Sequence, residues 1–589
     1  KFSGLASYSF TNNKSDNYKG KDTYAAFVDR LYFDTQGNSS RTYSSISQSN
    51  TNNSSYSLRG QLSYSDVYRE IHRFSVLAGA EIRGEKAEGI FEKRYGYDPV
   101  TGNSAMPVPK DPGNGEGFKY SDLVSYANAM DQLSGQEIEE NRFASFYGAL
   151  DYSLFDRYVL NVSFRTDGSN NFGSDEQFNP TWSAGAVWHV SEETFMEVVR
   201  PVLSRLSLRV ATGYTGNINK TVKPNLMMKY YKNFRISDDE NYRMGYINNA
   251  PNPKLRWEKT RDVKVALDFG LWKDRINGIV EAYWRKSKDC VTSEYVPVTT
   301  GFFNQSYNTS VLQNNGVEFS LSVAVLKSKD YNLSVSANVA WNQNKLKKYN
   351  SPNTSLALDK YVGYPMGAVF SGKYEGIDPE TGMYKFKLRP DAVTNKDGYL
   401  REPNNYYYYL GTSVAPFTGG FNLNFSYKNI GLSVGGSYSV KAKMVDNIES
   451  PAGYELLSGS KLESIPTPHN DLYRNHLNVK REVRNRWTPE NRTGVKYPRL
   501  IDAYGKKLGL DLTNPTLTTI TRGALLEDIS YLRINTIALS YSLPQRVLER
   551  INFSSAALNL TLNNFFTITK YSGIDPEVPG ATYPVSRSV

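Results

Sequence analysis

The amino-acid sequence predicts an all-β protein, namely a transmembrane antiparallel up-and-down β-barrel of about 15 strands. Three observations predict this fold class. Apolar and polar residues alternate with a period of two, the polar face of each such segment consists mainly of small residues, and short and long connections alternate along the chain.

The period-2 alternation is clearest in residues 331–341. Apolar residues occupy every odd position from Leu333 to Trp341, and Asn, Ser or Ala occupies the even positions. The same arrangement recurs in residues 420–427, 536–543 and 558–563. The second face is mainly Gly, Ser, Thr, Asn and Ala, with few of the Lys and Glu residues that coat a solvent-facing sheet. An apolar face toward lipid and a small polar face toward a water-filled or plugged interior is the pattern of an outer-membrane barrel.

The alternative architecture is a soluble β-sandwich whose apolar faces turn inward. Segments of about ten residues or more suit a tilted membrane crossing, which takes about 9–11 residues, whereas sandwich strands are usually shorter. The sequence therefore favours the membrane barrel.

Connection lengths give an independent argument, because such barrels have short turns on one side and long loops on the other. Short turns are predicted near residues 67–72, 154–157, 191–204, 272–275, 327–331, 428–431 and 544–554. Long external loops are predicted near residues 12–53, 96–141, 168–178, 216–257, 286–310, 346–416 and 444–530. The two classes alternate without exception, as an up-and-down barrel requires.

This order also predicts that the strands near residues 2–10 and 554–569 both run outward, and that residues from Tyr583 onward begin another inward strand. An odd number of strands cannot close an even barrel. We therefore expect residues 1–589 to form one barrel domain that is incomplete at both ends, with a signal peptide absent or already removed.

The residue types that usually carry catalysis or bind metals show no informative pattern in this sequence. The chain has 39% hydrophobic, 13% aromatic and 22% charged residues, and its net charge of +10 is spread without a basic run, as expected for solvated loop and rim charge. One cysteine, Cys290, excludes an internal disulfide, and the four histidines lack metal-ligand spacing. The acidic residues 237–241 could bind calcium weakly, although a solvated loop is favoured. We expect no catalytic residue and no cofactor.

Several motifs together point to one family. The most specific lie near the end of the chain: residues 528–533 (DISYLR), 541–544 (YSLP), 563–566 (NNFF) and 570–577 (KYSGIDPE). Earlier motifs are residues 165–169 (RTDGS) with 172–173 (FG), 213–217 (GYTGN), 252–258 (NPKLRWE) with 274–275 (DR), 363–367 (GYPMG) and 485–491 (NRWTPEN).

In this order, the motifs resemble those of the SusC/RagA-type, TonB-linked (TonB-dependent) outer-membrane transporters of the Bacteroidetes. The positions that carry the resemblance as structural residues are Arg165, Asp167, Gly168, Gly216, Asn217, Trp257, Glu258, Arg486, Trp487, Tyr531, Arg533, Tyr571, Asp575 and Pro576.

The resemblance implies a 22-stranded barrel, so that six strands would lie upstream of the predicted ones. It also implies a plug and a TonB-contacting segment, both missing from this sequence, and a SusD-like lipoprotein that covers the external loops as a lid. The implied function is active TonB-dependent import of bulky nutrients, namely oligosaccharides, across the bacterial outer membrane. The alternatives are oligopeptide import by a RagA-like transporter, a surface binding or adhesion protein without transport, and a soluble carbohydrate-binding β-protein.

Tyrosine is the residue type most informative about ligands, with 44 copies. Part of them should form interfacial girdles, where an amphipathic ring is anchored at the lipid headgroups. The candidates for substrate contact lie in the predicted external loop 346–416 and are Tyr364, Tyr406, Tyr407, Tyr408 and Tyr409. External rings can stack on sugars or hold a peptide, or they can pack a loop cluster or a partner protein.

Overall fold

In the computed structural model, strands that are consecutive along the chain pair with each other in one antiparallel sheet. The structure describes residues 1–23, 26, 33–35, 44–105, 107–109, 134–220, 222–230, 234–237, 240–242, 245–302, 304–349, 361–380, 382, 384–392, 405–445, 484–495, 522–579 and 583–589. Among them, 15 strands form the main sheet, each paired with its neighbours in chain order. The predicted fold class is confirmed.

The 15 strands of this sheet alternate in direction from one edge to the other. They are β1 (Phe2–Lys19), β2 (Ser45–Tyr68), β3 (His72–Tyr95), β4 (Ser134–Leu154), β5 (Tyr158–Ser169), β6 (Phe178–Trp188), β7 (Leu203–Asn217), β8 (Glu258–Leu271), β9 (Ile276–Tyr295), β10 (Asn304–Lys327), β11 (Tyr331–Lys348), β12 (Phe417–Tyr427), β13 (Ile430–Val440), β14 (Tyr531–Ser542) and β15 (Ala557–Thr569).

One face of this sheet is apolar across every strand. Residues directly opposite each other on paired strands share a face, and one such row runs through Tyr158, Trp188, Leu208, Leu267, Val280, Phe319 and Val339. Leu160, Val162 and Phe164 on β5 belong to the same face and remain exposed in the folded chain. In the described part of the protein this face has no second layer of sheet over it. It is therefore a lipid-facing surface, and the β-sandwich alternative is wrong.

The opposite face is polar and lines the interior. Ser163 shares a hydrogen bond of 2.6 Å with Ser183 across β5 and β6. Several charges on this face occur as cross-strand pairs: Arg209 with Asp268 at 2.7 Å, Lys264 with Glu281 at 3.0 Å and Arg285 with Asp262 at 2.9 Å. The interior wall is therefore hydrophilic, and these pairs compensate part of its charge.

The short connections lie at the same edge of the sheet, as predicted. Most are turns of two to four residues, such as those between β8 and β9 and between β12 and β13. Two are longer and helical. Residues 189–202 include the 3₁₀ helices Val190–Glu192 and Thr194–Met196, and residues 543–556 include the α-helix Gln545–Arg550.

Three of the predicted long loops are shorter than expected, because their flanking strands continue beyond the lipid-facing segment. β1 and β2 pair up to Lys19 and Ser45 inside the predicted loop 12–53, β4 begins at Ser134 inside 96–141, and β9 and β10 extend inside 286–310. Outside the bilayer both faces of a hairpin meet water. The apolar alternation therefore ends while backbone pairing continues, and the sequence pattern underestimates strand length.

The long connections carry short strands and turns of their own. The strand pairs are Phe33–Thr35 with Pro107–Pro109, Met227–Tyr230 with Gly245–Asn249, Phe234–Ser237 with Glu240–Tyr242, Ala368–Gly372 with Tyr407–Thr412, Tyr374–Ile377 with Tyr384–Phe386, and Lys443–Val445 with Leu526–Asp528. The remaining 3₁₀ helices among the described residues are Ser174–Glu176, Val298–Thr300 and Arg522–Leu525. In the part of the chain that the structure describes, no helix has the length and apolarity needed to cross a bilayer.

The last residues return along β15. Asn563 and Ser588 form an antiparallel bridge, with the Asn563 N–H donating to the Ser588 carbonyl at 2.9 Å. The Asn563 side chain also donates to the Ser588 hydroxyl at 3.0 Å. The tail after Tyr583 is thus aligned antiparallel to β15, in the direction predicted for a following strand.

The assignment of the two faces predicts opposite outcomes for neighbouring residues on β5. Val162→Arg should lower the free energy of unfolding by about 2–4 kcal/mol, because it inserts a charge into the hydrocarbon near the bilayer midplane. Ser163→Arg is the matched control and should cost about 1 kcal/mol, since it faces the hydrated interior and loses one hydroxyl hydrogen bond. Urea unfolding in lipid vesicles measures the free energy of unfolding of both variants. Equal losses of this free energy would contradict the assignment of the two faces.

Candidate functional site

The inner wall near the outward end of β5 holds a small polar cluster around Arg165. Its guanidinium contacts the Asp167 carboxylate at 2.7 Å and donates to the Ser145 hydroxyl at 2.9 Å. Glu81 on β3 lies 4.0 Å from the same guanidinium. Side chains of β3, β4 and β5 are therefore joined across the lumen-facing surface, and Arg165 stays partly exposed to the interior.

Above these strands, three motifs that are distant in sequence converge in one buried cluster. The Phe172 and Trp257 rings stack with their centroids 4.7 Å apart, and both are buried. The Gly173 N–H donates to the Leu255 carbonyl at 2.9 Å. We call residues 169–173, 216–217 and 252–258 the rim cluster, because they join the outward ends of β5, β7 and β8.

Two glycines of these motifs are required by close packing. A Cβ on Gly216 would lie 2.7 Å from the Trp257 ring, and a Cβ on Gly168 would lie 2.7 Å from the Phe178 ring. Real Cβ atoms essentially never approach other atoms below 3.0 Å. These glycines therefore allow aromatic rings to lie directly on neighbouring strands.

Hydrogen bonds complete the attachment of the rim cluster to the wall. The Asn217 side chain donates to one oxygen of Glu258 at 2.8 Å, and the backbone N–H of Val291 donates to the other at 2.9 Å. Glu258 therefore ties β7, β8 and β9 together at their outward ends. The sequence motifs around Asn217 and Glu258 are explained by this role.

Two lysines connect the loop after β7 to distant strands, and the sequence motifs did not include them. Lys220 contacts Glu85 on β3 at 3.2 Å. Lys223 contacts Glu139 on β4 at 3.1 Å and donates to the amide oxygen of the fully buried Asn171 at 3.0 Å. Since β3 and β7 are four strands apart, this loop crosses the rim of the lumen. Only the three-dimensional fold could reveal these pairs.

A second buried cluster holds the segment that follows β15. The Arg533 side chain is 3% exposed and contacts the carboxylates of Asp575 and Glu577. Asp575 also accepts the backbone N–H groups of Glu577 at 2.9 Å and Val585 at 3.2 Å. We call this ion-pair cluster, which ties β14 to the chain end, the C-terminal clamp.

Burial by itself raises the pKa of the Asp575 carboxyl. The two backbone N–H groups and the Arg533 guanidinium outweigh that effect, and they hold the pKa below its ordinary value. The predicted structural residues Tyr531, Arg533, Asp575 and Pro576 thus lie in or beside this clamp. Tyr571 is buried nearby against Ile529 and Ala442.

Arg486 and Trp487 occupy a separate part of the external surface. The indole of Trp487 is buried and its Nε1–H donates to the Pro379 carbonyl at 2.9 Å. Arg486, immediately before it, is half-buried. Trp487 therefore fastens its segment to the turn that follows the strand Tyr374–Ile377.

The structure brings two of the five candidate tyrosines together. The rings of Tyr364 and Tyr409 lie 4.8 Å apart, and Phe370 lies 5.0 Å from Tyr364 and 5.7 Å from Tyr409. Tyr361 packs edge-on against Phe370 at 4.6 Å. We call Tyr361, Tyr364, Phe370 and Tyr409 the tyrosine platform. Tyr364 and Tyr409 remain 37% and 41% exposed, so the platform presents ring surface to the outside.

The other three candidate tyrosines have different surroundings. Tyr407 is buried, Tyr406 is half-buried, and the Tyr408 hydroxyl donates to the Leu388 carbonyl at 3.1 Å. Tyr361 and Phe370 were not predicted, because nothing in a single sequence shows which rings a loop brings together. Burial raises the pKa of the Tyr361 and Tyr409 phenols, so both are neutral hydrogen-bond donors at neutral pH.

Metal ligation has no support in the described residues, which contain no group of three or more His, Cys, Asp or Glu arranged for a metal ion. The weak calcium prediction at residues 237–241 includes Asp238 and Asp239, which lie outside the described residues.

The chain matches known proteins over most of its length. The family model described as TonB dependent receptor-like, beta-barrel matches residues 2–447. The chain is 26% identical to the TonB-dependent receptor SusC of Bacteroides thetaiotaomicron, over 86% of this chain and 46% of that protein. It is 25% identical to the TonB-dependent receptor P26 of Formosa agariphila, over 96% of this chain and 53% of that protein.

Solved structures with the same fold include the RagAB peptide transporter, with a TM-score of 0.73 at 23% identity over 98% of this chain and 57% of that chain. The RagAB peptide importer in the closed-closed state gives a TM-score of 0.74 at 23% identity, over 100% and 59% of the two chains. The chain spans about half the length of the curated relatives that it matches.

The C-terminal clamp predicts a large effect from one substitution. Arg533→Met should destabilise the protein by about 3–5 kcal/mol, because it leaves the buried Asp575 without its cationic partner. Arg142→Met is the matched control: its ion pair with Glu140 is exposed to solvent, so its loss should change the free energy of unfolding far less than Arg533→Met does. Urea unfolding in vesicles measures the free energy of unfolding of the two variants, and hydrogen exchange of residues 570–579 reports on the chain end. Equal free energies of unfolding in the two variants would show that the clamp does not stabilise the chain end.

The lowered pKa of Asp575 predicts an acid-dependent opening of this segment. A carboxyl with a depressed folded-state pKa contributes stability above its unfolded pKa, and the contribution is lost as the pH falls through the lower folded value. Hydrogen-exchange protection of residues 570–579 should therefore fall below about pH 4 and stay constant near neutrality. Asp575→Asn should remove this pH dependence, and an unchanged acid transition in that variant would refute the assignment to Asp575.

The rim cluster predicts a steric effect at Gly173. A Cβ there would lie 1.9 Å from the Pro253 carbonyl oxygen, which is backbone and cannot rotate away. Gly173→Ala should therefore separate residues 169–173 from residues 252–258 and increase hydrogen exchange in both. Gly102→Ala, where no atom lies near the added Cβ but φ is +72°, controls for loss of a glycine without a clash. Unchanged exchange in Gly173→Ala would contradict the packing.

Proposed function

The chain belongs to the TonB dependent receptor-like β-barrel family of the outer membrane, and from this membership we propose that it is part of an active importer of a bulky nutrient. The sheet supplies an apolar exterior and a hydrated inner wall, which are the two surfaces that such a passage needs. In the proposed protein, a segment outside this chain would close the lumen and contact TonB. The force that TonB exerts on this segment would open the lumen.

We propose oligosaccharide as the substrate class. The tyrosine platform is the observation that supports it. It presents two partly exposed tyrosine rings on an external loop, and amphipathic rings offer both a flat apolar surface and a hydroxyl to a sugar. The inner wall also supports it, since hydroxyl and amide side chains such as Ser163, Asn338 and Asn422 can exchange hydrogen bonds with a neutral polyol.

Oligopeptide import is the second candidate. The chain shares its fold with the structures titled RagAB peptide transporter and peptide importer. Charged groups on the inner wall, such as Arg165 with Asp167 and Lys264 with Glu281, could also attract the termini of a short peptide. Both substrate classes would use the same passage, so only the bound molecule distinguishes them.

A SusD-like lipoprotein is the proposed partner. The connections from β11 to β12 and from β13 to β14 are by far the longest on the external side and offer the surface that a lid would need. In this proposal the tyrosine platform, which lies in the first of these connections, would be covered when the lid closes.

The substrate proposal is tested on the complete complex purified from the native membrane. Native mass spectrometry should detect a co-purified molecule with hexose-spaced masses. A ladder of amino-acid masses would replace the glycan proposal with the peptide one. Uptake of the identified molecule in cells with and without TonB separates an importer from an adhesin, because surface binding alone does not depend on TonB.

The tyrosine platform predicts the effect of removing its rings. Tyr364→Ala combined with Tyr409→Ala should weaken oligosaccharide binding to the complete protein by about fivefold to 150-fold, since each stacked ring contributes about 0.5–1.5 kcal/mol. Tyr295→Ala is the control, because Tyr295 is an exposed tyrosine at the end of β9, away from the platform. Isothermal titration calorimetry measures both. Equal affinities in the two variants would exclude the platform from substrate contact.

A further inference from the structure

The edge of the sheet that carries the short turns has two exceptional connections, residues 189–202 and 543–556. The neighbouring turns are short and carry at most a single exposed ring, such as Phe155 or Trp272, beside polar residues. The two exceptional connections are helical and carry exposed apolar side chains. Nothing in the proposed transport function accounts for that surface.

The position of the first connection is fixed by Glu193. Its carboxylate accepts the Tyr158 hydroxyl at 2.6 Å and the Trp188 indole N–H at 3.0 Å. Both rings belong to the lipid-facing side of the sheet, where they stack with centroids 6.4 Å apart. Because Glu193 reaches their polar ends, the connection leaves β6 on the lipid side of the wall, at the level of an aromatic girdle.

From Glu193 onward the chain forms successive helical turns. The N–H of Met196 donates to the Glu193 carbonyl at 3.0 Å, and the N–H of Leu203 donates to the Val199 carbonyl at 2.8 Å. Phe195 is 64% exposed and Val198 is 89% exposed, with Val199 and Val202 also exposed. This short amphipathic segment therefore continues the lipid-facing surface of the sheet and leaves those apolar side chains exposed.

The second connection repeats the arrangement with a different sequence. In the helix Gln545–Arg550, Leu548 is buried against the chain while Val547 is exposed. Ile551 and Phe553 follow the helix and are exposed, with Phe553 at 61%. The strands that it joins end their lipid-facing rows at Tyr541 and Leu558, which lie directly opposite each other. This apolar surface is also continuous with the lipid-facing side.

We propose that both connections are interfacial anchors that insert their apolar side chains into the phospholipid leaflet on the short-turn side. An amphipathic helical segment of this kind lies in the plane of the interface, with its apolar face at the boundary of headgroups and acyl chains. Residues 189–202 contain three carboxylates and one arginine, so the attraction is to the acyl region and not to anionic headgroups.

Site-directed spin labelling tests the proposal in the complete protein reconstituted in phosphatidylethanolamine-rich vesicles. The background is Cys290→Ser, and the labelled variants are Val198→Cys and Phe553→Cys. Both side chains project into the surroundings, so a label there leaves the fold intact. Lys329→Cys, in the polar turn between β10 and β11 on the same edge, is the water-exposed reference.

Collision with oxygen and with a water-soluble nickel chelate distinguishes the environments. The expected result is high oxygen accessibility and low nickel accessibility at Val198→Cys and Phe553→Cys, with the reverse at Lys329→Cys. A label with the same accessibility as Lys329→Cys would show that its connection is exposed to water, and it would overturn the proposal for that connection. A label shielded from both reagents would show protein contact, which overturns it equally.

Discussion

Hydrocarbon offers no partner for a backbone N–H or carbonyl group, and this constraint governs the whole molecule. Strands β2 to β14 satisfy their backbone groups by pairing with a neighbour on each side in chain order, and the edge strands β1 and β15 pair on one side with β2 and β14. Once pairing is fixed, side chains must alternate between lipid and the hydrated interior. The chain therefore has almost no buried apolar core within the sheet, and large apolar residues such as Leu160 and Phe164 remain exposed.

Buried polar groups concentrate where the sheet leaves the bilayer. Asn171 and Arg533 are among the most buried side chains, and both lie at the outward ends of strands. External loops have no bilayer to order them, so they need internal hydrogen bonds and ring packing to hold one conformation. The rim cluster and the C-terminal clamp supply these interactions, which explains why motifs such as residues 252–258 have a structural role.

The sequence was sufficient to predict the number and facing of the strands, which depend on a local period of two, and their order, which depends on the alternation of short and long connections. Strand ends were not predictable where both faces meet water, as in β1 and β2, since polarity then no longer distinguishes strand from loop. The motif residues were identified, but their partners were not. Trp257 stacks on Phe172, Lys220 reaches Glu85, and Arg533 meets Asp575, and each of these contacts joins residues far apart in sequence.

For the candidate tyrosines, the sequence was sufficient to identify the loop in which they lie, but it did not show which of their rings are exposed. Tyr406 to Tyr409 are consecutive, and in an extended segment successive side chains point to opposite sides. Tyr407 and Tyr409 therefore share one side of their strand, yet Tyr407 is buried while Tyr409 is exposed, and Tyr364 joins Tyr409 from a separate segment. A run of identical residues thus contains two environments on one side of a strand, and the segments that pack against each ring decide how exposed it is.

The platform is also joined to the C-terminal clamp. Its strand Tyr407–Thr412 ends at Thr412, which bridges Ala442, and the Ala442 carbonyl accepts the N–H of Ile529 at 3.0 Å. Tyr571 packs on Ala442 and Ile529, four residues before Asp575. The platform thus rests on a base that buried ion pairs hold to β14. For the proposed substrate contact, rings fixed in this way would lose little conformational entropy on binding, and such preorganisation would increase the affinity that a small contact area can provide.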